Sequence, residues 1–322
     1  MAPLSKAVEQ AYHVRGYSKD TIPGHDILDI PCYSFLIEHK KSGKKILYDL
    51  GLMKEWKEKQ PPAIFNQIEQ SKAATFEIQN DIADQLTASN VPLNSINAII
   101  QSHHHLDHTG DPSQFPSTTS LVVGPGFKSD KTTFPGWPRN PEAVTVDDSF
   151  NGREVVELDF ASSNLTVGGA LARTSENKFI FLGGDIAHHA GEFRPTAQLP
   201  LPPQIDSSLF GQLPSQVKDS YSTSLFESIH PKKQKENGPN YTSIPFYEPN
   251  PLMNASLPEA KLAIEKLQGF DALVEVFVIV AHDSSLLGIL PFFPLELTQW
   301  DEADYKVRGR WLFLRDFLKD IQ

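Results

Sequence analysis

One short run of histidine and aspartate constrains this chain more than any other feature. It reads Ser102-His-His-His-Leu-Asp-His108, and it follows the apolar run Ala98-Ile-Ile100, which is typical of a buried strand. Four potential metal ligands therefore leave the end of one strand within six residues: His103, His105, Asp107 and His108. Imidazole nitrogen with carboxylate oxygen is the ligand set that suits zinc, with iron and manganese as alternatives.

The spacing of these four residues indicates two groups of ligands. His103 and His105 are two positions apart, so in an extended segment their side chains point the same way. Asp107 and His108 are adjacent at a turn and can face a second point a few ångströms away. A solvent-facing polar turn is the alternative, but a histidine tract without metal geometry would not end a strand so abruptly.

Composition and charge restrict the kind of partner. The length of 322 residues allows one large α/β domain or two small ones, and 39% hydrophobic residues are enough for a sizeable core. The net charge of −11 argues against a general nucleic-acid or anionic-membrane surface. We therefore expect a small-molecule substrate, with no nucleic-acid or membrane partner, while the oligomeric state stays open.

The cysteine count and the absence of long apolar runs bear on the compartment. Cys32 is the only cysteine, so neither an intramolecular disulfide nor a cysteine zinc cluster can form. It precedes the apolar run 33–37, which favours a buried, inert thiol over a nucleophile. Residues 1–14 contain no apolar segment of signal-peptide type, and no uninterrupted run approaches membrane-spanning length. We expect a soluble, cytoplasmic protein.

Three further polar residues follow predicted strands. The strand 45–48 leads to Asp49, the strand 178–182 leads through two glycines to Asp185, and the strand 273–280 leads to His282. The glycines let the backbone come close to a neighbouring group. A turn or capping role is the alternative for the two aspartates, and a satisfied core or surface histidine is the alternative for His282.

The residues after Asp185 include more candidates. We expect one of His188 and His189 to contact a metal ligand or the substrate rather than the metal itself. Arg194 can bind a substrate carboxylate through two nitrogens, although a surface salt bridge is the simpler interpretation.

Residues 196–254 are rich in proline, serine and lysine. We expect this segment to leave the single domain over residues 1–322 as an excursion that cannot fill a core. It would be partly disordered, or folded over the mouth of the active site.

The motif His103-x-His105-x-Asp107-His108 resembles the signature of the metallo-β-lactamase-fold hydrolases. With Gly183-Gly-Asp-Ile-Ala-His-His-Ala-Gly-Glu-Phe-Arg-Pro195, it is similar to fungal members over roughly residues 20–300. The resemblance implies an α/β fold, a four-layer αββα sandwich. It implies one or two zinc ions, with His282 as the last histidine ligand, Asp185 bridging two metals and Asp49 orienting a ligand from beneath.

The same resemblance implies a reaction. A metal-bound hydroxide, held by Asp107 and Asp185, would attack the carbonyl of an ester, thioester, lactone or amide. Fungal relatives often act in secondary metabolism.

One ligand of the family pattern is missing. The family places another histidine, in a stretch resembling Pro-Gly-His-x-x-Gly-His, before the bridging aspartate, yet no histidine lies between His108 and His188. We interpret this as a deletion near Gly169 and Ala170 that removes a strand from the second sheet and exposes an edge. One site then keeps only His103 and His105, too few ligands for tight zinc binding.

Three functions are compatible with this pattern. The first is a zinc-dependent hydrolase. The second is a catalytically impaired or inactive family member, through a splice or gene-model truncation, that binds at most one metal. The third is an iron-using oxidoreductase on the same scaffold, ranked last because nothing resembles a flavin or nicotinamide site.

Overall fold

The computed structural model describes residues 2–3, 12–15, 27–71, 76, 78–159, 169–210, 220–234, 241–251 and 253–320. The strands of this part are β1 (Ala2–Pro3), β2 (Tyr12–Arg15), β3 (Ile27–Ile30), β4 (Phe35–His39), β5 (Lys44–Tyr48), β6 (Ile96–Ile100), β7 (Ser120–Val123), β8 (Val155–Glu157), β9 (Ala170–Arg173), β10 (Phe179–Leu182), β11 (Gln204–Asp206), β12 (Ser220–Ser222) and β13 (Val276–Ile279). The helices are α1 (Trp56–Lys59), α2 (Pro62–Ser71), α3 (Ile82–Ala88), α4 (Leu106–Thr109), α5 (Thr223–Ser228), α6 (Leu257–Ala272) and α7 (Tyr305–Gly309). Short 3₁₀ helices supplement them, including Leu312–Asp320 near the end of the chain.

The chain divides into two compact units. Unit 1 comprises Asp29–Gly168 and Pro291–Thr298 with Met1–Val14, and unit 2 comprises Gly169–Leu290 and Gln299–Gln322 with Arg15–Leu28. The expectation of one domain over residues 1–322 stays a prediction. Within the described ranges, none of the helices has the length and apolar character needed to cross a membrane.

Unit 1 is built on a six-stranded sheet with the order β1-β4-β5-β6-β7-β8. The runs 33–37 and 45–48 flank a turn and predict a hairpin, which β4 and β5 form, whereas β5 to β8 pair in parallel. Leu47, Ile99 and Leu121 of adjacent strands are fully buried with Leu86 of α3 in one core cluster. Each such side chain contributes roughly 1.5–3 kcal/mol by leaving water. Because β5 and β6 are parallel, the segments that follow them emerge at the same edge of the sheet.

Unit 2 contains a three-stranded sheet with the order β13-β10-β9. Strands β10 and β13 are parallel, and β9 pairs with β10 in the antiparallel direction. Among the described residues β9 is an edge strand, and its Leu171 is 47% exposed. The apolar run 165–167, which indicates a further strand, lies outside the described residues, so the loss of a strand from this sheet stays a prediction.

The residues 257–267, with Ser256 as a cap, Pro258 in the first turn and Gly269 as the end, predict a helix, and α6 begins at the predicted residue. The Ser256 side chain accepts a hydrogen bond from the backbone N–H of Glu259, and Pro258 occupies the first turn. The predicted end at Gly269 is wrong, since the helix continues to Ala272. Tertiary packing holds the added turn, because Phe270 stacks on Phe181 of β10 with ring centroids 4.8 Å apart.

The segment 196–254 contributes to the interior of unit 2. Strands β11 and β12 form a small antiparallel sheet, and both Phe226 and Phe246 are fully buried. The Phe246 ring lies 5.7 Å from that of Phe313 and 4.7 Å from that of Phe317. The expectation that this segment cannot fill a core is therefore wrong. A few aromatic residues supply the apolar surface that its overall composition lacks.

The burial of Phe246 predicts a large effect on stability. Replacing it with alanine should lower the free energy of unfolding by about 3–5 kcal/mol, since transfer energy is lost and a cavity is left. Denaturant unfolding measures the difference. Leu262→Ala is the control, because Leu262 of α6 is 51% exposed and such surface changes cost within about 0.5 kcal/mol. Equal costs for the two variants would contradict the packing described for this segment.

His230 of the same segment predicts a pH dependence. Burial lowers its pKa to about 4, although the backbone carbonyl of Ile244, 3.1 Å from Nε2, acts in the opposite direction. Its pKa in the unfolded chain is the ordinary value of 6.5. The unfolded chain therefore binds more protons between these two values, and the contribution of His230 to stability is lost as the pH falls through them.

We expect the unfolding free energy of the wild type to fall more from about pH 7 to about pH 5 than that of His230→Gln, whose amide does not titrate. Urea unfolding at the two pH values measures both slopes. Identical slopes would show that His230 is not held neutral in the folded protein.

Candidate metal centre

The histidine run lies where β6 ends in unit 1. The backbone N–H of Gln101 still bonds to the carbonyl of Val122 in β7, and the chain then bends through residues 102–105 into α4. The rings of His103 and His105 have centroids 4.5 Å apart, and each offers a ring nitrogen within 4.8 Å of the other. The structure thus brings together the pair that the two-residue spacing predicts.

Asp49 fixes the orientation of His108. Its Oδ1 accepts a hydrogen bond from the backbone N–H of Ser102 at 2.7 Å, and its Oδ2 accepts one from the Ser102 hydroxyl at 2.8 Å. Oδ2 also lies 2.9 Å from Nδ1 of His108, and both side chains are fully buried. A proton held on Nδ1 by a carboxylate leaves Nε2 as the ligand nitrogen, which is the arrangement common at metal-bound histidines.

The carboxylate of Asp107 faces the same nitrogen. Its Oδ2 is 3.2 Å from Nε2 of His108, so the two adjacent residues direct their donor atoms to one point. Imidazole nitrogen and carboxylate oxygen are the kinds of donor that zinc binds in proteins.

The loop after β5 holds α4 in place. Leu50 donates its backbone N–H to the carbonyl of His108 at 2.9 Å. Gly110, with φ of 49°, ends α4 so close to this loop that an added Cβ would lie 2.4 Å from Cβ of Leu50. From the other side, the buried thiol of Cys32 donates to the carbonyl of Asp107 at 2.6 Å. The prediction that Cys32 is buried is confirmed, and its thiol contacts the turn that contains Asp107 and His108.

Asp185 and His282 meet in unit 2 at the end of the parallel pair β10 and β13. Gly183 donates to the carbonyl of Ile279, and an added Cβ on it would lie 3.0 Å from Val280. This close approach places Oδ1 of Asp185 3.0 Å from Nε2 of His282, which is 2% exposed. The close backbone approach that the sequence predicts for the glycines is present at Gly183.

His188 contacts the other oxygen of the same carboxylate. Its Nε2 lies 3.3 Å from Oδ2 of Asp185, and its ring is stacked on that of His282 with centroids 5.6 Å apart. Its backbone N–H is 3.4 Å from Oε2 of Glu192, a buried carboxyl. Burial raises the pKa of Glu192 to about 8, although the hydrogen bond from His188 opposes the rise, so this group is protonated at neutral pH.

The neighbouring His189 is engaged elsewhere. Its Nε2 lies 2.9 Å from Oδ2 of Asp316, and its Nδ1 accepts the backbone N–H of Gly191 at 2.9 Å. Its ring also packs against Tyr247 and Phe313. The two adjacent histidines therefore have different surroundings, with one against Asp185 and the other in the aromatic interior of unit 2.

Arg194 binds a carboxylate through two nitrogens, as its chemistry allows, but the carboxylate is that of Asp271 in α6. The two bonds measure 2.7 and 2.6 Å, and both side chains are 2% exposed. The interpretation as a surface salt bridge is wrong, since the pair is buried. Burial alone would raise the pKa of Asp271, but Arg194 reverses the effect and holds it below its ordinary value.

Two residues contact the candidate ligands or their supporting groups but are not among the site residues that the sequence predicts. Ser102 makes two hydrogen bonds to Asp49, and its place directly before the histidine run is a usable signal. Glu192 carries no such signal, because nothing in its local sequence separates a buried carboxyl from a surface one. Of the six predicted ligands, four belong to unit 1 and two to unit 2.

Comparison with known proteins places these motifs in a family context. The family model described as the metallo-beta-lactamase superfamily matches residues 28–207. The chain is 34% identical to gamma-lactamase FDB1 of Fusarium pseudograminearum over 92% of this chain and 76% of that protein. It is 32% identical to the metallo-hydrolase mfmC of Annulohypoxylon moriforme over 92% of this chain and 81% of that protein.

A solved structure extends the likeness to the fold. This structure is an N-acyl homoserine lactone hydrolase with the product N-hexanoyl-L-homoserine bound at its catalytic metal centre. It superposes with a TM-score of 0.53 at 14% identity, covering 91% of this chain and 96% of that one. The prediction of an α/β fold of the metallo-β-lactamase type is confirmed.

The contacts of Asp49 predict its effect on metal binding. Asp49→Asn should weaken zinc affinity by about 10- to 100-fold, because the His108 ring loses the acceptor that fixes its tautomer. Competition with a chromophoric chelator measures the affinity. Asp148→Asn is the matched control, since Asp148 is an exposed aspartate of unit 1. Unchanged affinity in Asp49→Asn would show that His108 does not bind metal through Nε2.

Proposed function

Since the chain belongs to the metallo-β-lactamase superfamily and is a metal-dependent hydrolase, we propose that it uses zinc to open the carbonyl–heteroatom bond of a lactam or lactone. The wider class of substrates that the family resemblance implies also includes linear esters, thioesters and amides. The single observation that carries the proposal is the hydrogen bond between Asp49 and His108, which prepares a ligand nitrogen in the turn after β6. The similarity to a gamma-lactamase over most of both chains favours a cyclic amide.

The ligands that we propose within unit 1 are His103, His105, Asp107 and His108, and those within unit 2 are Asp185 and His282. The metal supplies Lewis acidity toward the carbonyl oxygen and lowers the pKa of water.

The chain's own residues then position groups and move protons. Asp49, itself held by Ser102, fixes the orientation of the His108 ring before the reaction begins. The ring therefore does not have to reorient as the transition state forms. Asp107 has one oxygen toward His108, and its carboxylate can accept a proton from the attacking water. The carbon–nitrogen bond of the ring breaks as the new carbon–oxygen bond is completed, and the same proton passes from Asp107 to the leaving nitrogen.

A second function is favoured by one specific observation. No histidine lies between His108 and His188, so the set with His103 and His105 lacks the family's third nitrogen. The alternative is a protein of the same fold that holds one metal and has little or no turnover.

Metal removal and one substitution test the function. A panel of γ-lactams, lactones and esters should be hydrolysed by the zinc-loaded protein, and a chelator should abolish turnover until zinc is restored. Asp107→Asn should lower kcat by about 10²- to 10⁴-fold, since the proton carrier is lost. Product formation followed by chromatography measures both effects.

The control is Glu142→Gln, an exposed carboxyl of unit 1. Turnover that survives chelation would overturn the zinc mechanism. One bound metal with no turnover across the panel would favour the second function.

A further inference from the structure

Unit 2 has a cavity that the proposed function does not use. Its volume is about 120 Å³, and the residues that line it all belong to unit 2. We propose that this cavity binds a small free carboxylate with a short apolar tail, and that Arg310 holds the carboxylate group. The candidate metal ligands are not among the lining residues, so this inference goes beyond the proposed function and does not depend on it.

One buried carboxylate beside the cavity is shared among several cations. The carboxylate of Asp271 faces the charges of Arg194, Lys306 and Arg310. Arg194 occupies both of its oxygens, with hydrogen bonds of 2.7 and 2.6 Å. Lys306, which is 4% exposed, directs its ammonium group at three backbone carbonyls, that of Asp271 among them at 2.9 Å. The carboxylate therefore has no oxygen left for Arg310.

Arg310 is the cation of this group whose donors are not used. Its Nε is buried without a hydrogen-bond acceptor, and within the described part of the chain its guanidinium forms no hydrogen bond or ion pair. Burial lowers its pKa, the charge of Asp271 acts in the opposite direction, and the charge of Arg194 lowers it further. A buried donor without an acceptor is costly, and a guanidinium presents its N–H groups in a planar fork that matches a carboxylate. This unpaired fork at the wall of a cavity indicates an anionic ligand.

The remaining walls favour an apolar tail on that ligand. Val274 and Val307 line the cavity and are 66% and 61% exposed, and the buried side chain of Trp300 also lines it. Covering apolar surface is favourable by roughly 25 cal/mol per Å². A ligand that covers the two valines therefore gains free energy that a bare inorganic anion does not.

Two carboxylates restrict the charge and the size of the ligand. Asp301 and Asp304 line the same cavity, and Asp301 is paired with Lys178 at 2.8 Å. Like charges repel, so these groups disfavour a doubly charged anion such as phosphate. An apolar cavity of about 150 Å³ holds a benzene molecule, so a cavity of about 120 Å³ accommodates roughly six non-hydrogen atoms. Butyrate has this size and a single negative charge.

Butyrate and butyramide test the ligand class, because they have nearly the same shape and differ in charge. Saturation-transfer NMR with the zinc-loaded, full-length protein should detect butyrate binding with a Kd on the order of 1 mM, within the bound that ligand efficiency sets. Butyramide should bind about 10-fold more weakly, since it lacks the charge. Inorganic phosphate should displace butyrate only at about 10-fold higher concentrations than unlabelled competitor carboxylates such as propionate, since it lacks the apolar tail.

Substitution of the arginine tests its role. Arg310→Gln should weaken butyrate binding by about 10- to 100-fold, the change expected from the loss of a hydrogen bond to a charged group. Arg308→Gln is the matched control, because Arg308 is an exposed arginine two positions away, and it should bind butyrate as the wild type does. Circular dichroism verifies that both variants are folded.

A second pair of variants tests the cavity at an exposed position, where substitution does not disturb the core. Val307→Asp and Val307→Asn have side chains of nearly the same size, and the first alone adds a negative charge to the wall. The aspartate variant should bind butyrate about 5-fold more weakly than the asparagine variant, because the added charge repels the ligand.

Several results would overturn the proposal. Butyrate bound at the metal centre would be retained in Arg310→Gln, so an unchanged Kd in that variant, or an equal loss in Arg308→Gln, would exclude Arg310 as the anchor. Equal Kd values for butyrate and butyramide, or equally effective displacement by phosphate, would exclude a carboxylate with an apolar tail. Equal Kd values in the two Val307 variants would exclude this cavity as the binding site. Each of these results leaves the hydrolase function intact.

Discussion

The buried carboxylate of Asp49 is the interaction on which the candidate site of unit 1 depends. A buried polar group is costly unless it is hydrogen-bonded, and here the backbone N–H and hydroxyl of Ser102 and the ring of His108 satisfy both oxygens of Asp49. The backbone of Asp49 adopts a left-handed conformation with φ of 56°. Its N–H bonds to the carbonyl of Ile100 at 2.8 Å, so the ends of β5 and β6 are tied together below the histidine run.

In unit 2, a different set of interactions supports the candidate ligands. Parallel β10 and β13 bring Asp185 and His282 to one edge, and a buried ion pair fixes the turn that follows. Arg194 of that turn is held by Asp271 of α6, and Lys306 donates to the Asp271 carbonyl at 2.9 Å. Breaking such a buried pair costs about 3–5 kcal/mol, because one charge is left uncompensated. Arg194 is thus fixed to α6 at the end of the segment that begins at Asp185.

The sequence by itself determined the strands that carry the ligands, the start of α6 and the ligand chemistry. These features follow from local apolar runs, a capping serine and the spacing of histidine and aspartate, all of which act within a few residues. Only the tertiary structure decided which of His188 and His189 meets Asp185, that Arg194 pairs with a partner 77 positions away, and that Phe246 belongs to a core. His188 and His189 are adjacent and of the same type, so the local sequence does not distinguish them. The few aromatic residues that are buried in the segment 196–254 do not stand out from its proline-rich composition. Burial and pairing depend instead on what distant parts of the chain place beside each side chain.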